Sequence, residues 1–352
     1  MAELMEYLQR AVRDKASDLF LVAGGPVCEK LDKHLKPIGT ERLMPKESSR
    51  LISQLYGQAN RPMEHYQRLG DDDFSFSVPG LARFRVNAYH QRGSMAAVVR
   101  VVAFDIPNYL ELGIPKTVMD LADETDGMIL VTGTAGSGKS TTQACIVDRI
   151  NRTREAHIIT LEDPIEFLHR NQRSIVSQRE IAIDTQDYLS ALRSCLRQAP
   201  DVIQLGEMRD HETIRTAMTA AETGHLLMAT LHTKGAANTI DRVIDAFPSA
   251  QQSQVRVQLS MVLRTVVSQQ LLPDVNGGLV PAFEIMRMNS AVRNLIRDSK
   301  THQLDSVIAT GADQGMMTMD QSILELYRSG RISGETALLY AENPEQLQRR
   351  LG

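Results

Sequence analysis

Gly133-Thr134-Ala135-Gly136-Ser137-Gly138-Lys139-Ser140 is a complete G-x-x-x-x-G-K-S, and it follows the apolar run Met128-Ile129-Leu130-Val131. Residue types at this spacing handle phosphate. Glycines let backbone N–H groups fold around the phosphates of a nucleotide. Lys139 can reach the β/γ oxygens, and the Ser140 hydroxyl can ligate Mg²⁺, with Thr141 beside it. A helix expected from about Ser140 to Asn151 points its positive N-terminal end at the same anion. The alternative, a glycine-rich turn with an incidental lysine, does not account for the strand before and the helix after. The segment reads as a nucleoside triphosphate site.

Three further segments place ionisable groups at the ends of apolar runs. Ile158-Ile159-Thr160-Leu161 runs into Glu162-Asp163-Pro164. The carboxyl ends of parallel strands open into the ligand crevice, so Glu162 and Asp163 face the phosphates, and a carboxylate there can orient an attacking water as base or positioning group. The plain alternative is a solvated acidic turn. Val202-Ile203-Gln204-Leu205 leads to Gly206-Glu207. Glu207 is placed to hold Mg²⁺ through water, since that ion keeps several waters and takes one or two carboxylates. His225 and His232 bracket the run Leu226–Leu231. One end of that strand can sense the γ-phosphate or a neighbouring subunit. The plain alternative is a pair of satisfied core histidines.

Positioning these groups requires a parallel sheet wrapped by helices. Strand-like runs at 128–132, 157–161, 202–206 and 226–231 alternate with helical stretches, as such a sheet demands. Residues 1–103 read instead as an α+β domain with an antiparallel sheet: helices near 2–15 and 46–58, strands at 18–23, 73–78, 82–90 and 94–103. The irregular stretch 104–116, with Pro107 and Pro115, reads as a linker. The core is then 117–286, followed by a wholly helical region, 287–352. Among its segments Ala291–Arg297 puts Arg293 and Arg297 on one helix face and Val292, Leu295 and Ile296 on another.

The 352 residues, 42% hydrophobic and 23% charged, describe a globular chain of two ordinary domains. The charged N-terminal helix pattern and the lack of a long apolar stretch imply neither a signal peptide nor a membrane anchor. Cys28, Cys145 and Cys195 form no C-x-x-C pair, which argues against a zinc module or disulfide framework and fits a reducing cytoplasm. With net charge −4, no tryptophan and 5% aromatics, no basic stripe with interleaved aromatics marks a nucleic-acid motor.

Taken in order, these motifs resemble the Walker A, Asp box, Walker B and His box of the secretion and pilus ATPase superfamily. Within it, Arg83–Ala88 and Ala291–Arg297 are similar to the type IV pilus retraction ATPases, the PilT/PilU family. The resemblance implies an α/β fold in which a PAS-like α+β N-terminal domain precedes a RecA-like P-loop core with a parallel sheet and a helical C-terminal region follows. It implies ATP and Mg²⁺ as ligands, a homo-hexameric ring, and twitching motility driven by pilus retraction. The implied partners are an inner-membrane platform protein and a paralogous retraction or extension ATPase, with neither nucleic acid nor direct membrane insertion. The implied location is the cytoplasm, peripheral at the inner face of the inner membrane.

Among residues, the resemblance gives Glu162 the water-activating role, Glu207 the metal-linked role, and His225 and His232 the coupling of nucleotide state to the interface. By family position Arg85, Arg100, Arg193 and Arg197 are candidate arginine fingers; all four are otherwise ordinary solvated charges. Met208-Arg209-Asp210 and Ala291–Arg297 look PilT-like, whereas Leu196–Asp201 and the tail from Asp313 look more like PilU. The choice between a sole motor and an accessory nucleotide-binding ring subunit stays open.

Overall fold

A computed structural model describes residues 2–31, 34–102, 104 and 106–351. Met1, Asp32, Lys33, Ala103, Asp105 and Gly352, which fall in the segments outlined above, lie outside the described residues. The chain divides into two compact units, Met1–Asp105 with Glu166–Leu168, and Ile106–Ile165 with His169–Gly352.

The first unit runs α1 (Ala2–Arg13), β1 (Asp18–Val22), β2 (Cys28–Leu31), β3 (His34–Pro37), α2 (Pro45–Gln58), α3 (Glu64–Leu69), β4 (Asp71–Val78), β5 (Ala82–Gln91) and β6 (Ser94–Val102). Its strands form one antiparallel sheet in the order β3-β2-β1-β6-β5-β4. Period-two alternation decides its faces. Ala82, Phe84, Val86 and Ala88 turn inward to a core shared with Leu4 and Leu8 of α1 and Leu51, Ile52 and Leu55 of α2. The intervening positions of β5 and β6 turn the other way. There Arg85 stands directly opposite Arg100. The short strands β2 and β3, reading Cys-Glu-Lys-Leu and His-Leu-Lys-Pro, have no apolar alternation to announce them.

The second unit begins with α4 (Lys116–Met119), β7 (Gly127–Thr132), α5 (Lys139–Thr153), β8 (His157–Glu162), β9 (Ile175–Glu180) and α6 (Tyr188–Cys195). It continues through β10 (Val202–Leu205), α7 (His211–Glu222), β11 (Leu226–Leu231), α8 (Ala236–Asp245), α9 (Ser249–Val262), β12 (Leu263–Pro273) and β13 (Leu279–Arg287). The helices α10 (Ser290–Arg297), α11 (Leu304–Thr310), α12 (Met319–Arg328), α13 (Gly334–Tyr340) and α14 (Pro344–Leu351) complete it. The sheet order is β13-β12-β7-β11-β10-β8-β9, with every pair parallel except β12 with β13.

Every residue of β7, β10 and β11 is buried, because helices cover both faces. One face packs Leu192, Met218, Ile240 and Leu259 over the sheet, the other Ile146, Val147 and Ile150 of α5. The C-terminal helices cover the β12–β13 hairpin through Ile323, Leu324, Ala337 and Leu347. Of the stretch read as a linker, Ile114 is buried and Ile106, Tyr109 and Leu112 pack on this unit. The α/β architecture expected from the resemblance is the one observed. Among the described residues no helix is long and apolar enough to cross a membrane, and the three cysteines are free.

Candidate functional site

The phosphate loop joins β7 to α5, and its shape depends on two glycines. A Cβ on Gly133 would stand 2.3 Å from the carbonyl oxygen of Gln269, and one on Gly138 would stand 2.7 Å from that residue's Nε2. Both also take positive φ, 142° and 89°, so a side chain is excluded twice over. Lys139, the first residue of α5, donates from Nζ to the carbonyls of Gly133 and Thr134, 2.9 Å each. Its ammonium therefore sits over the loop. Ser137 Oγ is buried without a hydrogen-bond partner among the described residues, and Thr134, Ala135 and Gly136 are exposed. A glycine-bounded loop at the start of a 15-residue helix, with a lysine above it and an unsatisfied hydroxyl, fits a phosphate chain.

Parallel registration brings the other motifs to the same edge. Leu231 pairs with Thr132, and Leu205 pairs with both Ala229 and Leu161. Glu207, Glu162 and His232 thus all follow the carboxyl ends of neighbouring strands. At ~4.8 Å per strand, the end of β10 lies ~10 Å from that of β7, and the end of β8 lies ~14 Å away. Glu207 is held from two sides, by the Arg209 guanidinium at one carboxylate oxygen and by His232 Nε2 at the other, 3.4 Å away. Glu162 is buried, 9% exposed. Its Oε1 accepts from the Thr160 hydroxyl at 2.6 Å and from Gln178 Nε2 at 3.1 Å. Gln178 Oε1 in turn accepts the main-chain N–H of His169 at 2.8 Å. Glu162 has one oxygen anchored while the carboxylate remains at the sheet edge.

Other sequence-derived candidates lie elsewhere. His225 sits at the amino end of β11, where Gly127 donates to its carbonyl and its Nδ1 lies 3.0 Å from the Ala220 carbonyl. The six residues of β11 separate it from His232, ~23 Å along the strand. Arg193 meets Glu212 at 3.6 Å, and Arg197 donates to the Arg193 carbonyl. The next residue, Gln198, meets His157 at the amino end of β8. The segment carrying these arginines, the end of α6 and the turn after it, thus leads away from the phosphate edge. In the first unit Arg100 donates to Asp18 at 2.9 Å, while Arg85 stands across from it. Arg293 is part-buried and donates to the carbonyls of Ser260 and Met261. It closes the last turn of α9, whereas Arg297 is exposed.

Several residues that the motifs did not reveal complete the site. Thr160 and Gln178 anchor Glu162. Tyr188 lies with its hydroxyl against Gly206, where a Cβ would meet it at 2.5 Å. Burial pushes that hydroxyl well above its ordinary value, and Asp163, Glu207 and Glu162 add to the effect. It stays neutral beside three carboxylates. A cavity of about 260 Å³ adjoins Gly138 and Thr141, walled by Leu112, Ile114, Leu271 and Pro281. A polar residue inside an apolar strand would have been a signal for Gln269; Gln178 lies on a mostly polar edge strand and carried none.

The sequence profile of the family described as Type II/IV secretion system protein matches residues 1–328. The chain is 45% identical over 343 residues to the type IV pilus retraction ATPase PilT of Pseudomonas aeruginosa, covering 97% of this chain and 99% of that one. It is 36% identical over 347 residues to the type IV pilus ATPase PilU of the same organism, covering 98% and 90%. A crystal structure of the pilus retraction motor PilT with bound ADP matches with a TM-score of 0.88 at 44% identity, over 98% of each chain.

Proposed function

This chain belongs to the Type II/IV secretion system protein family, among its type IV pilus retraction ATPases, and we propose that it is a hexameric, Mg²⁺-dependent motor driving pilus retraction. The observation that carries this reading is the gathering of the phosphate loop, Glu162, Glu207 and His232 at one edge of a parallel sheet, in a chain similar to PilT over nearly its whole length.

In this reading the loop N–H groups and Lys139 hold the β- and γ-phosphates. The apolar cavity beside Gly138 and Thr141 takes the nucleobase. Glu162, fixed through Thr160 and Gln178, turns its carboxylate to the attacking water and accepts the proton as the water oxygen bonds to the γ-phosphorus and the β–γ bridge oxygen leaves. Ser140, and Glu207 through water, would hold Mg²⁺ together with the phosphates, since that ion keeps several waters and takes one or two carboxylates. When bound, Mg²⁺ neutralises charge on the β and γ oxygens. His232, on Glu207, links the loop that follows β11 to this centre. Arg85 and Arg100 of the N-terminal unit complete the site as that unit closes on ATP. Release of the γ-phosphate relaxes the closure. Rings work at the inner face of the inner membrane on a platform protein.

A test separates the steps. Lys139→Ala should abolish nucleotide binding, and Glu162→Gln should keep binding while slowing turnover at least a hundredfold. Both should fail to restore retraction in cells lacking this protein. Unchanged turnover in Glu162→Gln removes the residue from the chemistry. Retraction restored by Glu162→Gln, in cells holding a paralogous motor, would instead make the protein an accessory subunit of the kind its similarity to PilU allows.

A further inference from the structure

Gln269 stands on β12 one residue beyond Ser268, the last residue that pairs with β7, opposite Thr132. It lies between Ser268 and Gln270 on a strand whose Val266, Val267 and Leu272 are wholly buried, and Gln269 itself is 3% exposed. A primary amide at such a position is unfavourable unless its polar atoms are satisfied, and an aliphatic side chain would fill the volume at less cost. The amide therefore has a specific occupation.

That occupation is the phosphate loop. Oε1 accepts the Thr142 hydroxyl, one turn into α5, at 2.7 Å. Nε2 lies under Gly138, and the main-chain carbonyl lies under Gly133, each nearer than any Cβ could tolerate. The first and last glycines of the loop thus rest on one residue, and the helix that the loop feeds is bonded to it as well. The separation between Gly133 and Gly138 sets how the intervening N–H groups converge. Gln269 fixes that separation from below, 127 residues away in sequence from its partner Thr142.

Successive strand residues face opposite ways. Ser268 accepts the Gly235 N–H through its Oγ at 2.9 Å, and Gly235 ends the loop that begins at His232. Two adjacent residues of β12 thus support the phosphate loop on one face and the loop after His232 on the other.

We propose that Gln269 is a positioning residue for the nucleotide, holding the phosphate loop in its anion-cradling shape, and that with Ser268 it makes β12 the common support of that loop and the loop after His232. This rests on the reading of Gly133–Ser140 as the ATP site. If the brace is lost, the loop spends only a fraction of its time in the competent shape. The apparent dissociation constant of every nucleotide then rises by the inverse of that fraction, for ADP and ATP alike. Turnover at saturation changes much less, because the loss is one of uniform binding.

The experiment compares the full-length wild type with Gln269→Leu, Thr142→Val, Thr142→Ser and the double variant Gln269→Leu/Thr142→Val. Equilibrium binding of fluorescent ADP and ATP analogues is measured beside kcat and KM. Gln269→Leu and Thr142→Val should each weaken both nucleotides about tenfold, with kcat within about threefold. The double variant should be no weaker than the worse single, because the two act through one hydrogen bond. Thr142→Ser, which keeps the hydroxyl, should bind as the wild type does. Unchanged affinity in Gln269→Leu overturns the proposal, as does loss of kcat with affinity intact. Equal weakening by Thr142→Ser and Thr142→Val overturns it too, and that pair decides the matter should Gln269→Leu fail to fold. A wild type that binds neither analogue would overturn the ATP-site reading itself, a result distinct from all of these.

Discussion

At the scale of single residues, Arg293 and Arg297 show how one helical spacing can hold two different occupations. The i, i+4 interval puts both on the same side of α10, and as a sequence they read as a pair of surface charges. In the structure Arg293 satisfies two carbonyls in the last turn of α9. Burial, then the nearby Arg264 and Arg297, lowers the pKa of its guanidinium. Arg297 bonds only within its own helix, to Asn294 and the Arg293 carbonyl. Arg293→Ala should therefore destabilise the chain by about 1–2 kcal/mol, through lost terminal hydrogen bonds, while Arg297→Ala should stay within about 0.5 kcal/mol. Urea denaturation of the two variants measures the difference; equal effects would refute the capping role. The same contrast explains which parts of the site were legible. Lys139 announces itself by the spacing of the glycine-rich loop, and Glu162 and Glu207 by standing where apolar runs end. Gln178, Tyr188 and Gln269 act through contacts between distant segments, and Thr160 acts on the carboxylate two residues along; of these only Gln269 leaves a local sign, an amide within a largely apolar strand.

Elements were legible where burial was uniform. β7, β8, β10 and β11, covered on both faces, read as plain apolar runs. β12 did not, because α9 ends at Val262 and β12 begins at Leu263. With no turn residue between them, helix and strand merge into one apolar stretch. β9 was missed for the opposite reason, being a polar edge strand. β13 brings a carboxylate into the interior: Glu284 accepts the Ala236 N–H at the start of α8 at 2.6 Å. Burial, then Glu342 and Asp305, raises its pKa to about 7 from 4.5, against the opposing backbone donors Ala236 and Met319. The folded state thus holds this proton more tightly than the unfolded chain, so its contribution to stability falls as pH rises from 4.5 to 7. Glu284→Gln keeps the acceptor and removes the titration. Relative to wild type it should gain on the order of 3 kcal/mol between pH 4.5 and 8. Buried His169, with a pKa lowered by desolvation to about 4, loses stability as pH falls below 6.5, but it is present in both proteins and cancels in the difference. Denaturation profiles that run parallel across this range would refute the assignment.

For the whole molecule, the question is which chain supplies each charge at the phosphates. Arg193 on α6 and Arg197 in the turn after it lead away from the phosphate edge, and Arg85 and Arg100 belong to the other unit. In a ring whose subunits complete one another's sites, adding inactive Glu162→Gln protein to wild type should depress activity below the wild-type fraction. Strict proportionality in rings shown to be mixed would mean independent subunits. The parallel sheet sharpens what such coupling must do. Glu162 ends β8, Glu207 follows β10 and the phosphate loop follows β7, and hydrogen-bonded ladders set the spacing of these strands. If the chain works in a ring whose neighbours supply arginines, as proposed above, timing then resides in what arrives at the sheet's edge. Such a ring would need no internal clock, because the order of firing would follow which neighbour delivers its arginine next.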